Sequence, residues 1–348
     1  MIILKSLMKV AKLYSFNDIR VENIPMPKIG HGDALLKTKA SGICSGDVMP
    51  WYIEKKAPLV IGHEPSGEIV EVGKNVTSCK IGDKVFVHHH APCFACRYCK
   101  KGDYVQCQTW RNTKIIPGGI SEYILIPEIN LKNDTLILPD NLNYEDGVLI
   151  EPTACVVKAL KRSQIRKGDT ILIIGLGVMG QLNILLARKY GADKIIGADM
   201  VTYRLKKAIE FGVDAVIDVS KENLLDSLKE LTDGALADIV IVGPNSVEAM
   251  KQGISSAGAG GKIIFFTPAK PGEQLTISPN DLYFKDINII TSYSCGPTDT
   301  REALELIKEG IVKSERLITH RFPIEKAAEA FRLTAEARDS LKSTIVFD

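Results

Sequence analysis

From residue 168 onward, short apolar runs alternate with amphipathic stretches, and this alternation constrains the fold more than any other feature. The apolar runs include TILIIG, KIIGAD, DIVIVG and GKIIFF, and the stretches between them include VMGQLNILLARKYG and KENLLDSLKEL. The runs are too continuously apolar to present a face to solvent, so they predict parallel strands covered by helices on both sides. The sequence therefore predicts an α/β domain with a doubly wound parallel sheet.

A glycine-rich turn follows the first of these apolar runs. Gly175, Gly177 and Gly180 have G-x-G-x-x-G spacing and open a helical stretch. Gly175 permits a tight turn, Gly177 lets the backbone approach a pyrophosphate, and Gly180 lets helix and strand pack closely. We expect this turn, with Val178 and Met179 between the last two glycines, to bind a dinucleotide. A glycine-rich turn without a ligand is the alternative.

An acidic residue ends the next predicted strand. Asp199 stands nineteen residues after Gly180, where a carboxylate can accept hydrogen bonds from the ribose hydroxyls and would repel a 2′-phosphate. Arg204 can flank the adenosine end of the cofactor or simply lie exposed on a helix. The pattern predicts NAD rather than NADP as the cofactor.

The composition excludes several classes of partner. The 348 residues include 44 basic and 42 acidic ones, giving a net charge of +2, and no block of like charges stands out. This balance argues against nucleic acid and anionic membranes and favours a small-molecule ligand. The N-terminal MIILKSLMKVAKLY interrupts its apolar run with two lysines, so neither a signal peptide nor a membrane span is predicted, and we expect a cytoplasmic protein.

Four of the eight cysteines lie within fifteen residues. Their spacing is C-x2-C-x2-C-x7-C, which lets four thiolates hold one tetrahedral zinc ion. The set leaves no position open for a substrate, so the predicted zinc site is structural. An iron–sulfur cluster is the alternative, but no proline follows the last cysteine. The four residues are Cys93, Cys96, Cys99 and Cys107.

The first 150 residues show a different pattern. Short β segments such as ALLKTKA, GEIVEVG, DKVFVHH and SEYILIP are separated by glycine and proline, which predicts a β-rich, barrel-like domain. Near the end of the chain, KSTIVF reads as one more strand, which we expect to rejoin the first domain. We therefore predict a discontinuous domain of residues 1–152 and 296–348 around a nucleotide-binding domain of residues 153–295.

Residues that can hold a second metal ion are spread over three segments. Cys44 lies in SGICSGDVMPW, His63 and Glu64 lie in IGHEP, and Glu151 lies in LIEPT. A thiolate, an imidazole and one or two carboxylates can form an open tetrahedral zinc site with a position for water or substrate. Taken singly, each residue has a commoner structural explanation. Asp47 is the expected acceptor that orients His63 and fixes its tautomer.

Together these motifs resemble the zinc-containing medium-chain alcohol dehydrogenases. The shared segments run nearly from end to end: GICSGDVMPW, GHEPSGEIVEVG, the four-cysteine lobe, EP at residues 151 and 152, GLGVMG and LITHRFP. Glu151 is similar to the glutamate of the sorbitol, polyol and threonine dehydrogenase branch. The resemblance implies a GroES-like catalytic domain, a Rossmann domain and a homotetramer or homodimer. It also implies a catalytic zinc held by Cys44, His63 and Glu151, with Glu64 beside or on the metal.

The reaction implied is hydride transfer between a secondary alcohol or polyol, or its ketone, and NAD, with one catalytic and one structural zinc ion per chain. Two other classes stay open at this stage. One is a family member that binds zinc and NAD without catalysis, and the other is a zinc-free enone or quinone reductase. Sugar alcohols, sugar phosphates, threonine-like amino alcohols and simple secondary alcohols are all open as substrates.

The chain departs from the resemblance in the residues that usually carry the proton away. Family members have a hydroxyl residue two positions after the cysteine, and often a histidine three residues later. This chain has Gly46 and Met49 at those positions. Ser45, or Glu64 acting through zinc-bound water, can replace the missing relay.

The VFVHHHAPC segment offers another replacement. If strand alternation continues through it, His89 lies on the face opposite His88 and His90, and one of these histidines can bind substrate or take up the proton. A polar strand end is the alternative. In TSYSCGP, residues 291 to 297, Tyr293 or Cys295 can by resemblance contact substrate, although a packing role is equally compatible with the sequence.

Overall fold

The computed structural model describes residues 6–348, and the first five residues of the N-terminal segment analysed above lie outside this range. The chain divides into two compact units. One contains Met1–Ala154 and Cys295–Asp348, and the other contains Cys155–Ser294. Across residues 6–348, no helix is both long enough and apolar enough to cross a bilayer.

The described residues form sixteen strands and thirteen α-helices. The strands are β1 Leu7–Ser15, β2 Asp18–Pro25, β3 Ala34–Gly42, β4 Leu59–Val60, β5 Glu64–Val72, β6 Lys84–Val87, β7 Tyr123–Ile126, β8 Thr135–Ile137, β9 Thr170–Ile174, β10 Lys194–Asp199, β11 Ala215–Asp218, β12 Ala237–Val242, β13 Ala257–Phe265, β14 Asn288–Thr291, β15 Ile318–Pro323 and β16 Lys342–Val346. The helices are α1 Pro50–Ile53, α2 Gln108–Asn112, α3 Glu128–Asp134, α4 Tyr144–Val148, α5 Ile150–Ser163, α6 Val178–Tyr190, α7 Thr202–Glu210, α8 Leu224–Leu231, α9 Val247–Ser255, α10 Pro279–Phe284, α11 Pro297–Lys308, α12 Ser314–Leu317 and α13 Ala327–Glu336.

The first unit is built on two sheets. A three-stranded antiparallel sheet has the order β2-β1-β4, and a larger sheet has the order β15-β16-β3-β5-β6-β8, with β7 also paired to β3. The C-terminal strand β16 pairs antiparallel with β3 and parallel with β15. Apolar side chains from β3, β5, β6 and β7 fill a common core, and its fully buried members include Leu36, Ile69, Val85 and Ile124.

The second unit contains a six-stranded sheet in which every pair of neighbouring strands is parallel. Its order is β11-β10-β9-β12-β13-β14. The central strand β9 is buried over four of its five residues, as the continuous apolar run TILII requires. The predicted α/β fold with a β-rich domain and a doubly wound parallel sheet is confirmed.

Three neighbouring strands bring distant segments to one place in the first unit. In the larger sheet, Gly42 at the end of β3 pairs with Glu64 at the start of β5 and with Thr344 of β16. A side chain at Gly42 would overlap the Glu64 carboxylate and approach Lys342 to 2.8 Å, so only glycine fits. The residues that follow β3 therefore lie beside those that open β5.

Candidate metal and dinucleotide sites

Cys44, His63 and Glu64 come together where β3 ends and β5 begins. Their donor atoms all lie within 4.8 Å of one another. Cys44 and His63 are half-buried, whereas Glu64 is buried. A thiolate, an imidazole and a carboxylate at this spacing form a donor set that suits zinc, with room for a further ligand.

Asp47 lies where an acceptor for His63 is needed. Its Oδ2 is 3.0 Å from Nδ1 of His63, and both side chains are largely buried. Burial alone would raise the pKa of Asp47, but His63 beside it holds the value below the ordinary range. Burial would lower the pKa of His63, but Asp47 and Cys44 hold it well above its ordinary value. With Nδ1 facing Asp47, Nε2 of His63 is the nitrogen available to a metal.

Glu64 has a buried partner that the sequence analysis missed. Its carboxylate forms an ion pair with Nζ of Lys342, and each side chain is 1% exposed. The lysine also donates to the carbonyl oxygen of Ile43 at 3.0 Å. Burial raises the pKa of Glu64, although Lys342 opposes the shift. The only signal for this pair is a lysine at the start of the apolar strand KSTIVF.

Glu151 lies in the first turn of α5 and belongs to a second cluster of donors. Its carboxylate lies within 4.8 Å of the donor atoms of His88 and Cys295, and all three residues are buried. Its own backbone carbonyl oxygen is 3.9 Å from Sγ of Cys295. The sequence predicted Glu151 as a partner of Cys44 and His63 but gave no sign of this group, whose members are far apart in the chain.

The three consecutive histidines do not alternate as residues of a strand would. Strand β6 ends at Val87, before the first of them. The ring centroid of His89 lies 4.0 Å from that of His90 and 4.8 Å from that of His63. The predicted placement of His89 on a face opposite His88 and His90 is therefore wrong. Strand β6 ends just before His88, so the alternation of side chains along a strand does not extend through the histidines. His89 nevertheless lies against a residue of the Cys44 cluster.

The other relay candidates have distinct environments. Ser45 is exposed in the turn where the amide of Asp47 donates to the carbonyl oxygen of Cys44. Burial lowers the pKa of His89 well below its ordinary value and that of His90 to about 3, so both imidazoles are neutral at neutral pH. Nδ1 of His90 lies 2.6 Å from the carbonyl oxygen of Thr113.

The four clustered cysteines have the geometry of a closed metal site. Their sulfur atoms lie within 4.8 Å of one another, with nearest separations of 3.6 to 4.0 Å. Zinc–sulfur bonds in a tetrahedron require sulfur atoms about 3.8 Å apart. All four are free thiols. Although burial opposes it, the backbone N–H groups of Cys93 and Trp110 lower the pKa of Cys107 to about 6, so a thiolate is available at neutral pH.

The glycine-rich turn joins β9 to α6. Gly175 has φ of 88°, a backbone conformation that favours glycine, and a side chain there would lie 2.9 Å from Pro244. A side chain at Gly180 would overlap the carbonyl oxygen of Gly175. At Gly177, by contrast, a Cβ would meet only the guanidinium of Arg204, at 3.7 to 3.9 Å. The turn thus keeps the strand, the helix and the space in front of Gly177 in the arrangement that a pyrophosphate needs.

Asp199 ends β10 beside this turn. Its carboxylate accepts hydrogen bonds from the backbone amides of Leu176, Met200 and Val201 at 2.7 to 2.9 Å. Nη1 of Arg204 lies 3.5 Å from Oδ2 of Asp199, and the arginine side chain is only 18% exposed. Arg204 therefore packs at the glycine-rich turn and is not the exposed helix residue that was the alternative. Val178 and Met179 open α6, which has Gly177 as its N-cap.

Comparisons with known proteins place these features in one family. Residues 30–135 match the alcohol dehydrogenase GroES-like domain, and residues 178–309 match the zinc-binding dehydrogenase domain. The chain is 32% identical to the sorbitol dehydrogenase of Bombyx mori, over 93% of this chain and 94% of that protein. It is 31% identical to the L-threonine 3-dehydrogenase of Rhizobium johnstonii, over 89% and 90% of the two chains. The crystal structure of 2R,3R-butanediol dehydrogenase from Bacillus subtilis matches with a TM-score of 0.86 at 27% identity, covering 98% of this chain and 100% of that one.

The chain belongs to the zinc-binding alcohol dehydrogenase family, and the resemblance drawn from its motifs is confirmed. It is a zinc-dependent oxidoreductase that acts on CH–OH groups with a nicotinamide cofactor.

Proposed function

We propose that this enzyme oxidises a secondary hydroxyl of a polyol with NAD as the hydride acceptor, and reduces the matching ketone in reverse. The observation that carries the proposal is the pair of sites, one in each unit: the Cys44, His63 and Glu64 cluster, and the glycine-rich turn with Asp199. The relatives named for sorbitol and butanediol support a substrate with more than one hydroxyl group.

The Cys44 cluster fits a zinc ion by its chemistry. Both oxygens of Glu64 are buried; one pairs with Nζ of Lys342, and Oε1 has no hydrogen-bond partner among the described residues, so the carboxylate still has lone pairs to offer. Asp47 leaves Nε2 of His63 for a metal. Cys44, His63 and Glu64 would hold the ion. Bound there, zinc would act as a Lewis acid and lower the pKa of the substrate hydroxyl.

We propose that His89 orients the substrate hydroxyl by accepting its hydrogen bond, a role that a neutral imidazole can fill although burial lowers its pKa well below the ordinary value. The imidazole is held against His63, and its Nδ1 is buried with no hydrogen-bond partner among the described residues. Ser45 is exposed and Glu64 is engaged with Lys342, so both are less suited to the task.

Replacing His89 tests this assignment. We expect His89→Ala to lower kcat/KM by about tenfold, the loss of one hydrogen bond to the reacting hydroxyl, and to raise KM. His31→Ala, at an exposed position, serves as the control and should leave both unchanged. Wild-type rates for His89→Ala at every pH would show that His89 does not have this role.

The environment of Asp199 supports NAD over NADP. A carboxylate at the end of β10 can bind ribose hydroxyls, and its negative charge disfavours a 2′-phosphate. We also propose a cytoplasmic location, because the eight cysteines are all free and zinc thiolates persist best where thiols stay reduced.

The direct experiment is an activity screen with zinc analysis. The zinc-loaded enzyme is assayed by nicotinamide absorbance against sugar alcohols, phosphorylated sugar alcohols, L-threonine and simple secondary alcohols, with NAD and NADP in parallel. We expect the highest kcat/KM with a polyol and NAD, and loss of activity in Cys44→Ser. A higher kcat/KM with a monohydric alcohol, or with NADP, would contradict the corresponding part of the proposal.

A further inference from the structure

The buried cluster of His88, Glu151 and Cys295 is not used by the chemistry described above. Its three donor atoms lie within 4.8 Å of one another, and the residues are 0%, 5% and 0% exposed. Nε2 of His88 is 3.8 Å from Sγ of Cys295. At a tetrahedral zinc ion, a nitrogen and a sulfur ligand stand about 3.6 Å apart. We propose that these residues form a third metal site, for zinc or a similar divalent ion.

Each ring nitrogen of His88 has a neighbour of its own. Its Nδ1 lies 2.7 Å from Oδ2 of Asp134, and Oγ1 of Thr300 donates to the other oxygen of the same carboxylate at 2.6 Å. All three residues are fully buried. Because an ionised carboxylate only accepts, Nδ1 of His88 carries the proton. Nε2 faces Cys295 and would bind a metal ion in place of a proton, and a carboxylate on the other ring nitrogen is common behind metal-bound histidines.

The charges of the cluster also suit a divalent cation. A thiolate from Cys295, a carboxylate from Glu151 and a neutral His88 together balance a charge of +2. A neutral assembly avoids most of the cost of burying unpaired charge. Three protein ligands leave one position for water or another small ligand.

Metal counting on the full chain tests the site. The protein is stripped with a chelator, reloaded with zinc chloride, desalted and analysed for zinc per chain. We expect three ions in the wild type and two in Cys295→Ser and in His88→Gln. The matched controls Cys79→Ser and His31→Gln should retain three. Two ions in the wild type, or three in either cluster variant, would overturn the proposal.

A double variant separates this site from the one in the proposed function. Cys44→Ser should retain two ions, and Cys44→Ser with Cys295→Ser should retain one, because the losses are independent. If the double variant keeps as many ions as Cys44→Ser, the loss of Cys295 removes no further ion and the third site does not exist. Replacing zinc by cobalt tests the site on the wild type alone. Its result therefore does not depend on whether the variants stay folded while the metal is reloaded. Titration of the stripped wild type with Co²⁺ should give a thiolate charge-transfer signal that rises in three stages, whereas two stages would overturn the proposal.

Discussion

Glu64 shows how a single buried residue can depend on two cations. Its carboxylate is paired with Lys342 in the described structure, and it also belongs to the donor set of the Cys44 cluster. Before any metal binds, Lys342 is the partner that pairs directly with this carboxylate. The lysine therefore matters most to the metal-free protein.

Replacing Lys342 by methionine should reveal that dependence. The change leaves a buried carboxylate without its partner, so we expect the free energy of unfolding of the metal-free protein to fall by about 3–5 kcal/mol in urea titrations. The double variant Lys342→Met with Glu64→Gln should recover most of the loss. Lys326→Met removes an exposed lysine 3.7 Å from Glu329 and should cost less than about 1 kcal/mol. Equal urea midpoints for Lys342→Met and the wild type would show that the ion pair contributes nothing.

Two glycines of the dinucleotide turn should fail in different ways when replaced by alanine. In Gly180→Ala the new methyl group overlaps the carbonyl oxygen of Gly175, so we expect a loss of stability of about 1–3 kcal/mol. In Gly177→Ala the methyl group fits the protein but occupies the space of the pyrophosphate. We expect near-wild-type thermal stability and at least about tenfold weaker NAD binding, measured by calorimetry. If Gly177→Ala binds NAD normally, the cofactor does not approach this turn.

Single site residues can be predicted where their spacing in the sequence is itself typical of one kind of site. The three glycines of the turn and the four clustered cysteines lie close together in the sequence, so their spacing alone predicts that each set acts together. Glu64 with Lys342, and His88 with Cys295, lie more than 200 residues apart. Such contacts depend on how strands from distant segments pair, and the sequence offers no local pattern for them.

At the level of elements, the cysteine lobe has little apolar core of its own. Its buried apolar residues are few, mainly Val105 and Trp110, with the sulfur atoms of Cys99 and Cys107 packed beside them. A segment of this kind needs a metal to hold its conformation. The structural ion should therefore stabilise this lobe more than any other part of the first unit.

Cys107→Ser tests the role of the lobe. We expect the variant to lose one zinc ion per chain and to become sensitive to limited proteolysis between residues 93 and 112, while the parallel sheet of the second unit keeps its protection from hydrogen exchange. Cys79→Ser, outside the lobe, is the matched control. A Cys107→Ser protein with normal zinc content and an uncut lobe would mean that three thiolates suffice.

Strands and helices with a clear repeat of apolar residues were predicted correctly, whereas the residue at which strand β6 ends was not. The apolar runs of the second unit gave the parallel sheet because burial on both faces leaves a continuous pattern in the sequence. Strand β6 was assumed to continue through the histidines, but it ends at Val87. Its pairing with β8 ends at the same residue, and that limit depends on the partner strand. The repeat of apolar residues in the sequence shows that a strand exists, but the neighbouring strand in the sheet determines the residue at which it ends.

At the scale of the whole molecule, each unit has a core of its own. Strand β16 comes from the end of the chain and completes the larger sheet of the first unit by pairing with β3. The second unit is continuous in sequence and packs its parallel sheet around residues such as Leu172, Val240 and Ile263. The prediction of a discontinuous first domain came from the strand-like KSTIVF near the end of the chain.

The second unit also carries a surface that suits contact between copies of the chain. Tyr283 and Phe284 end α10 and are each 78% exposed. The next strand, β14, lies at an edge of the six-stranded sheet, so one side of its backbone has no partner strand among the described residues. Exposed aromatic groups next to an open strand edge are features of association surfaces. We propose that this face joins copies of the chain into a homodimer or homotetramer.

Light scattering during size-exclusion chromatography can decide whether that face associates. We expect a mass of two or four chains for the wild type, and a shift toward one chain for Tyr283→Ser with Phe284→Ser, because burying these rings supplies apolar contact area. Ile81→Ser is the matched control, since it removes a large apolar side chain that is 60% exposed in the first unit. Its mass should equal that of the wild type. A monomeric wild type would refute association altogether, whereas an oligomer unchanged by the aromatic substitutions would place the interface on another face.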